Sequence, residues 1–340
     1  MQQLTTNEAY YRRVVNALGI GLLFFLLFLL LMSLAVGTLQ IALDALPLSD
    51  TAAKVTYQLI YGALYLAVFM CPVPIMRAFL RGAKLPWQPM RAAEPVSRCL
   101  PLIVLGGITM ILAQSYINAG LVSIFDLNSG IESVLPSTGG SMSNLDLVLS
   151  FIVLAVVPAF CEEFLFRGAI LTNLLPFGRG TAVLVSALAF GLMHQNLAQF
   201  LYAFCAGILL GVIYEKTGSI WNGVVLHLLN NASSLLSTVL LQRLGEKNGT
   251  VAVLILDAVL FLLGILSIVV LTVRVSRKPD LQDGAFGRSL PVSEAYAEHP
   301  VAPARAARLL VASPFGVFLI ACAVLAVLTA LMLMVIGSLA

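Results

Sequence analysis

Nine apolar runs, bounded by charged residues, Pro and Gly, divide the chain at roughly 15–43, 55–80, 99–125, 147–175, 180–197, 199–214, 219–241, 250–273 and 310–339. A helix that crosses a bilayer needs about 20 apolar residues. Inside lipid every backbone N–H and C=O needs an internal partner, and helix is the economical way to supply one. The expected fold is therefore all-α, a polytopic helical membrane protein with about nine transmembrane helices. Composition agrees: 60% of the 340 residues are hydrophobic and 10% are charged, against roughly 25% charged in a soluble domain. This excludes a soluble globular enzyme, a disordered chain, a coiled coil and a nucleic-acid-binding module. The lipid bilayer is an expected partner and nucleic acid is not.

The basic residues orient the spans. With the N-terminus inside, the inner segments hold Arg12, Arg13, Arg77, Arg81, Lys84, Arg91, Arg98, Arg179, Lys216, Arg274, Arg277, Lys278, Arg288, Arg305 and Arg308. The outer loops hold only Lys54, Arg243 and Lys247, and Arg167 falls within a span. Short cytoplasmic loops carry the excess of Lys and Arg, and one helix more or fewer would scramble the asymmetry. The expectation is an integral multi-pass protein of the plasma (cytoplasmic) membrane, N-terminus cytoplasmic and C-terminus outside. Val14–Leu43 is too long for the 7–15-residue apolar region of a signal peptide and is expected to be an uncleaved first span.

By organisation, 1–144 is an N-terminal membrane region with about three spans and 145–241 a core with about four. Residues 242–273 form an eighth span, 274–309 a polar cytoplasmic linker and 310–340 a ninth span. The stretch Arg274–Arg308 carries Pro, Gly, Ala and mixed charge without a helical apolar face, so it is expected to be flexible, with His299 a solvated loop residue. The five cysteines, in no CxxC or CxxH spacing, read as small apolar packing residues. Pro72 and Pro74 imply a kink in the second span. Gly207-x-x-x-Gly211 suits close helix packing. Asp257, near the outer end of the eighth span, is expected to snorkel, to pair with Arg243 or Lys247, or to stay protonated.

A charge at mid-bilayer costs at least about 2.5–3.5 kcal/mol on insertion scales, so polar residues inside the spans are informative. They cluster mid-chain. In Glu162-Glu163-Phe164-Leu165-Phe166-Arg167, Glu163 and Arg167 are i and i+4 with the acid first, the favourable pairing order. Glu162 points about 100° away and is left with no local partner, which suits a general base or acid. His194 follows in Phe190-Gly191-Leu192-Met193-His194. In His227-Leu228-Leu229-Asn230-Asn231, His227 and Asn231 share a face and can bind a metal, orient water or hold an oxyanion. Measured from the Phe177–Gly180 turn at 1.5 Å per residue, Glu162 and His194 each lie roughly 20 Å deep. His227 and Asn231 lie roughly 12–18 Å from Gly218. Costly groups on three helices in one depth band imply a shared polar cavity, which Gln114, Tyr116 and Asn118 are candidates to line.

The order EExxxR, FxxxH, HxxxN on successive membrane helices resembles the CPBP intramembrane proteases, which take in the CAAX-processing endopeptidases and the bacterial Abi proteins. Here the motifs are Glu162-Glu163-x3-Arg167, Phe190-x3-His194 and His227-x3-Asn231, and the resemblance covers roughly 145–241. It implies a CPBP/Abi-like helical core that hydrolyses peptide bonds within the membrane. Glu162 would activate water, and His194 would orient that water or contact a metal. His227 and Asn231 would stabilise the oxyanion, with Glu163 and Arg167 bracing the fold and Phe190 supporting. A divalent metal such as zinc would take Glu162, His194 and His227. Zinc sites more typically use local spacings such as HExxH, absent here, and a metal-free glutamate-activated water is the favoured expectation. Substrates would be membrane-embedded or lipid-modified proteins or peptides. The alternative is a non-catalytic membrane partner, or a bacteriocin-immunity-type protein, that keeps the motifs for structure. A proton-relaying transporter would want inverted repeats and broken helices, and the chain shows neither.

Overall fold

The computed structural model describes residues 4–88, 97, 99–124, 143–277 and 299–339. Among these residues the chain is helical, with ten elements. Helix α1, Thr6–Ala45, opens on a capping box in which the Thr5 hydroxyl accepts from the Glu8 N–H and the Glu8 carboxylate accepts from the Thr5 N–H. Helix α2 (Asp50–Met70) gives way at Cys71 to α3 (Pro72–Gly82), the break expected at Pro72 and Pro74. Next come α4 (Leu100–Ile124), α5 (Asn144–Phe177), α6 (Arg179–Leu192) and α7 (Leu197–Thr217). Element α8 runs Ile220–Arg277, α9 Pro303–Val311 and α10 Pro314–Leu339.

Seven helical segments are long and apolar enough to cross a membrane among the described residues. The seventh and eighth expected spans, which that count takes together as Ile220–Arg274, are two helices that meet in a turn at Gly245, whose φ of +75° a residue with a Cβ rarely adopts. The fifth, Arg179–Leu192, has only 14 residues. At 1.5 Å per residue it is roughly 21 Å long, too short to cross, so the turn after it lies within the bundle. The protein is an integral multi-pass membrane protein, and its outer surface fits that solvent: Leu34, Ile41, Ile255, Leu262, Leu266 and Met332 stand exposed.

Two apolar clusters hold the bundle together. The larger joins α1, α5, α6 and α10 through Phe25, Phe166, Leu171, Phe190, Phe315 and Phe318. The smaller joins α4, α7 and α8 through Ile103, Ile108, Leu210 and Leu226. Helix α7 lies close against α6. A Cβ on Gly207 would come within 3.1 Å of the Ala187 Cα, and one on Gly211 within 3.2 Å of Val183. Gly207→Leu is therefore expected to cost about 1–3 kcal/mol by overpacking, read as a lowered melting temperature in detergent. An unchanged melt would mean that α6 and α7 separate freely.

Several sequence expectations are corrected. The polar linker is ordered near its end: α9 buries Ala306 and Leu310, and Val301 N–H donates to the Phe177 carbonyl. Its helix starts at Pro303, whose fixed φ suits a first turn. Residues 278–298 lie outside the described residues. His299 is not a free loop residue. Its Nδ1 lies 3.0 Å from the Asn7 side-chain oxygen, and its ring stands edge-on to Tyr10. Asp257 accepts from the Tyr116 hydroxyl at 2.7 Å. Cys71 is exposed between α2 and α3 instead of packed.

Candidate active site

Helix α5 departs from α geometry on either side of the Glu pair. Its backbone is π-helical over Phe151–Val156 and Phe164–Leu171, and Val157–Glu163 between them is α-helical. Such π turns are rare and concentrate at functional sites. The Glu163–Arg167 pair survives the second of them, with Arg167 Nη1 donating to Glu163 Oε1 at 2.8 Å. Arg167 Nη2 donates to the Gly207 carbonyl at 3.1 Å, and its guanidinium lies 4.5 Å from the centre of the Phe190 ring. Both charges are buried, Glu163 at 0% and Arg167 at 1% exposed.

His227 on α8 meets both carboxylates. Its Nδ1 lies 3.1 Å from Glu163 Oε1 and its Nε2 3.7 Å from Glu162 Oε2. The contact with Glu163 fixes the ring through Nδ1, so Nε2 is the nitrogen turned toward Glu162. Glu163 thus does more than brace Arg167: it also orients the histidine. The 3.7 Å gap is beyond hydrogen-bond length, and Glu162 Oε2 can accept from another group. The other oxygen of Glu162, which has no local partner on its own helix, accepts from the Tyr65 hydroxyl on α2.

Glu162, Phe190, His194, His227 and Asn231 line one cavity of about 620 Å³. His194 sits in the turn after the short α6, edge-on to Phe190, and Phe190 is also edge-on to His227. Asn231 Oδ1 accepts from Asn230 Nδ2 at 3.3 Å, which leaves its own amide N–H groups for the cavity. Asn230 in turn accepts from Tyr202. The structure therefore brings all three motifs to one wall. Gln114, Tyr116 and Asn118 do not join them: Asn118 donates to the Ala198 carbonyl and Tyr116 to Asp257. Sequence reasoning missed Tyr61, Tyr65, Gln195, Gln199 and Tyr202, which also line the cavity. Tyrosine on a span reads as an interface or core residue, so only the contact reveals Tyr65.

Residues 144–233 match the Rce1-like family of type II CAAX prenyl endopeptidases. All three motifs fall inside that segment, and the match agrees with the family that they resemble. It covers 90 of 340 residues, from the start of α5 into α8. No curated protein and no solved structure matches the chain. Tyr61 and Tyr65 lie outside the Rce1-like segment, and so does everything contributed by α1 to α4 and by α10.

Among the described residues no three His, Cys, Asp or Glu groups are placed to hold one ion.

Proposed function

We propose that the chain is an intramembrane endopeptidase in which Glu162 activates water inside the polar cavity. The observation that carries this reading is the facing pair of Glu162 Oε2 and His227 Nε2, 3.7 Å apart on the wall of a cavity lined by helices. Water between such groups can give a proton to the carboxylate while its oxygen attacks the peptide carbonyl carbon. The C=O π electrons move to oxygen, and the oxyanion that forms takes hydrogen bonds from the Asn231 amide and the His227 ring. The proton on Glu162 then passes to the leaving amine as the C–N bond breaks. His194 keeps the attacking water in line. No metal takes part in these steps.

The substrates are membrane-embedded or lipid-modified proteins or peptides, and prenylated C-terminal peptides are one class consistent with the matched family. The enclosing apolar helices support delivery from the bilayer. The 15-to-3 distribution of basic residues supports a cytoplasmic N-terminus and an outer C-terminus.

The test compares peptide termini in membranes from cells making equal amounts of the wild type and Glu162→Gln, which keeps shape and removes the base. A small set of termini present only with the wild type is the expected result, and it names the substrates. Matching profiles, with a native partner recovered on both forms, would favour a non-catalytic membrane partner instead.

A further inference from the structure

The three motifs leave one contact of the candidate base unexplained. The hydroxyl that reaches Glu162 comes from Tyr65, 97 residues earlier in the chain and outside the Rce1-like segment. Helix α2 presents one face to α5 over about two turns. Gln58 Nε2 donates to Ser150 Oγ at 3.1 Å, Gly62 faces Val153, and Tyr65 reaches Glu162. Positions 58, 62, 65 and 69 share a helical face. The Tyr65 ring is fixed by a parallel stack on Phe69, centroids 4.5 Å apart. The donor is therefore held by packing, not carried on a free side chain.

A carboxylate has two oxygens and can turn about its last torsion, which is soft. With Oε1 occupied by Tyr65, rotation stops and Oε2 is left facing His227 and the cavity. We propose that Tyr65 is a positioning residue for Glu162: its hydroxyl holds one carboxylate oxygen so that the other is presented to the attacking water. This rests on the endopeptidase reading and deepens it, because it makes α2 part of the reaction machinery. Hydroxyl loss alone separates this from packing, since Phe keeps the stack.

The experiment uses full-length wild type, Tyr65→Phe, Glu162→Gln and the double variant at equal abundance, with the expressing cell's own membrane proteins as the probe. The readout is the rate at which protease-dependent termini appear. Tyr65→Phe is expected to slow every such terminus about 10- to 100-fold, the weight of one hydrogen bond to a charged group. It should leave the set of termini unchanged and add nothing in the Glu162→Gln background. A second readout needs no turnover: the infrared band of the Glu162 carboxylate, isolated by subtracting Glu162→Gln, should shift in Tyr65→Phe. Wild-type rates or an unmoved band in Tyr65→Phe, with cleavage still dependent on Glu162, overturn this inference alone. Identical termini for the wild type and Glu162→Gln overturn the endopeptidase reading and this inference with it.

Discussion

Purified Glu162→Gln is expected to cleave a confirmed substrate about 10²- to 10⁴-fold more slowly than the wild type, the usual weight of a general base. It should melt at nearly the same temperature. The amide is isosteric, and its carbonyl oxygen can still accept from Tyr65, the one hydrogen bond that Glu162 receives among the described residues. His227 Nε2 lies 3.7 Å away, beyond hydrogen-bond length, and its ring stays anchored through Nδ1 to Glu163. Loss of turnover with retained folding is the signature of a base. Turnover near the wild-type rate would remove Glu162 from the chemistry.

Arg167→Ala is expected to act the other way, mainly on the fold. The side chain is 1% exposed and neutralises a carboxylate that is 0% exposed. Removing one member of a buried pair strands the other, at a cost of about 3–5 kcal/mol. Glu163 would keep only His227 on Oε1, and its Oε2 already has no hydrogen-bond partner among the described residues. The Gly207 carbonyl and the Phe190 face would lose their contact as well. The expected result is low folded yield and a depressed melting temperature. The pair of changes Glu163→Gln with Arg167→Met should do less damage than Arg167→Ala alone, since no charge is left stranded. Wild-type yield and melting for Arg167→Ala would show that the pair carries little of the fold.

Much of this was legible in the sequence, for a physical reason. Charges are expensive in a bilayer, so Glu162, Glu163, Arg167, His194 and His227 stand out against apolar surroundings. Helical spacing then assigns their faces, and Glu163 to Arg167 at i, i+4 was readable without coordinates. What the sequence concealed is non-local or geometric. Tyr65 joins Glu162 across 97 positions by a group that no spacing rule marks. The Glu163–His227 contact crosses 64 positions in the same way. The π turns of α5 leave no trace in hydropathy, because an extra residue per turn changes neither length nor composition noticeably. At Gly245 the polar surroundings, Arg243, Glu246 and Lys247, suggested a loop between spans, but a single residue makes the turn. The ordering of α9 was hidden because its apolar positions, Ala306 and Leu310, are too few to signal a helix until a surface is there to receive them.

The pairing of α1 with α10 sets the order in which the molecule can be assembled. The buried side of α1, at Leu18, Leu22 and Phe25, belongs to one cluster with Phe315 and Phe318, some 300 positions away in the chain. Glu8 and Asn7 likewise find Arg305 and His299. Contacts of such separation close late, because loop entropy must be overcome first. During synthesis one apolar flank of α1 stays without its partner until residues 299–326 have been made. Helices α1 and α10 thus close the bundle together, and a ribosome stalled before α10 leaves a chain that already contains Glu162, His194 and His227 but has an open side on α1.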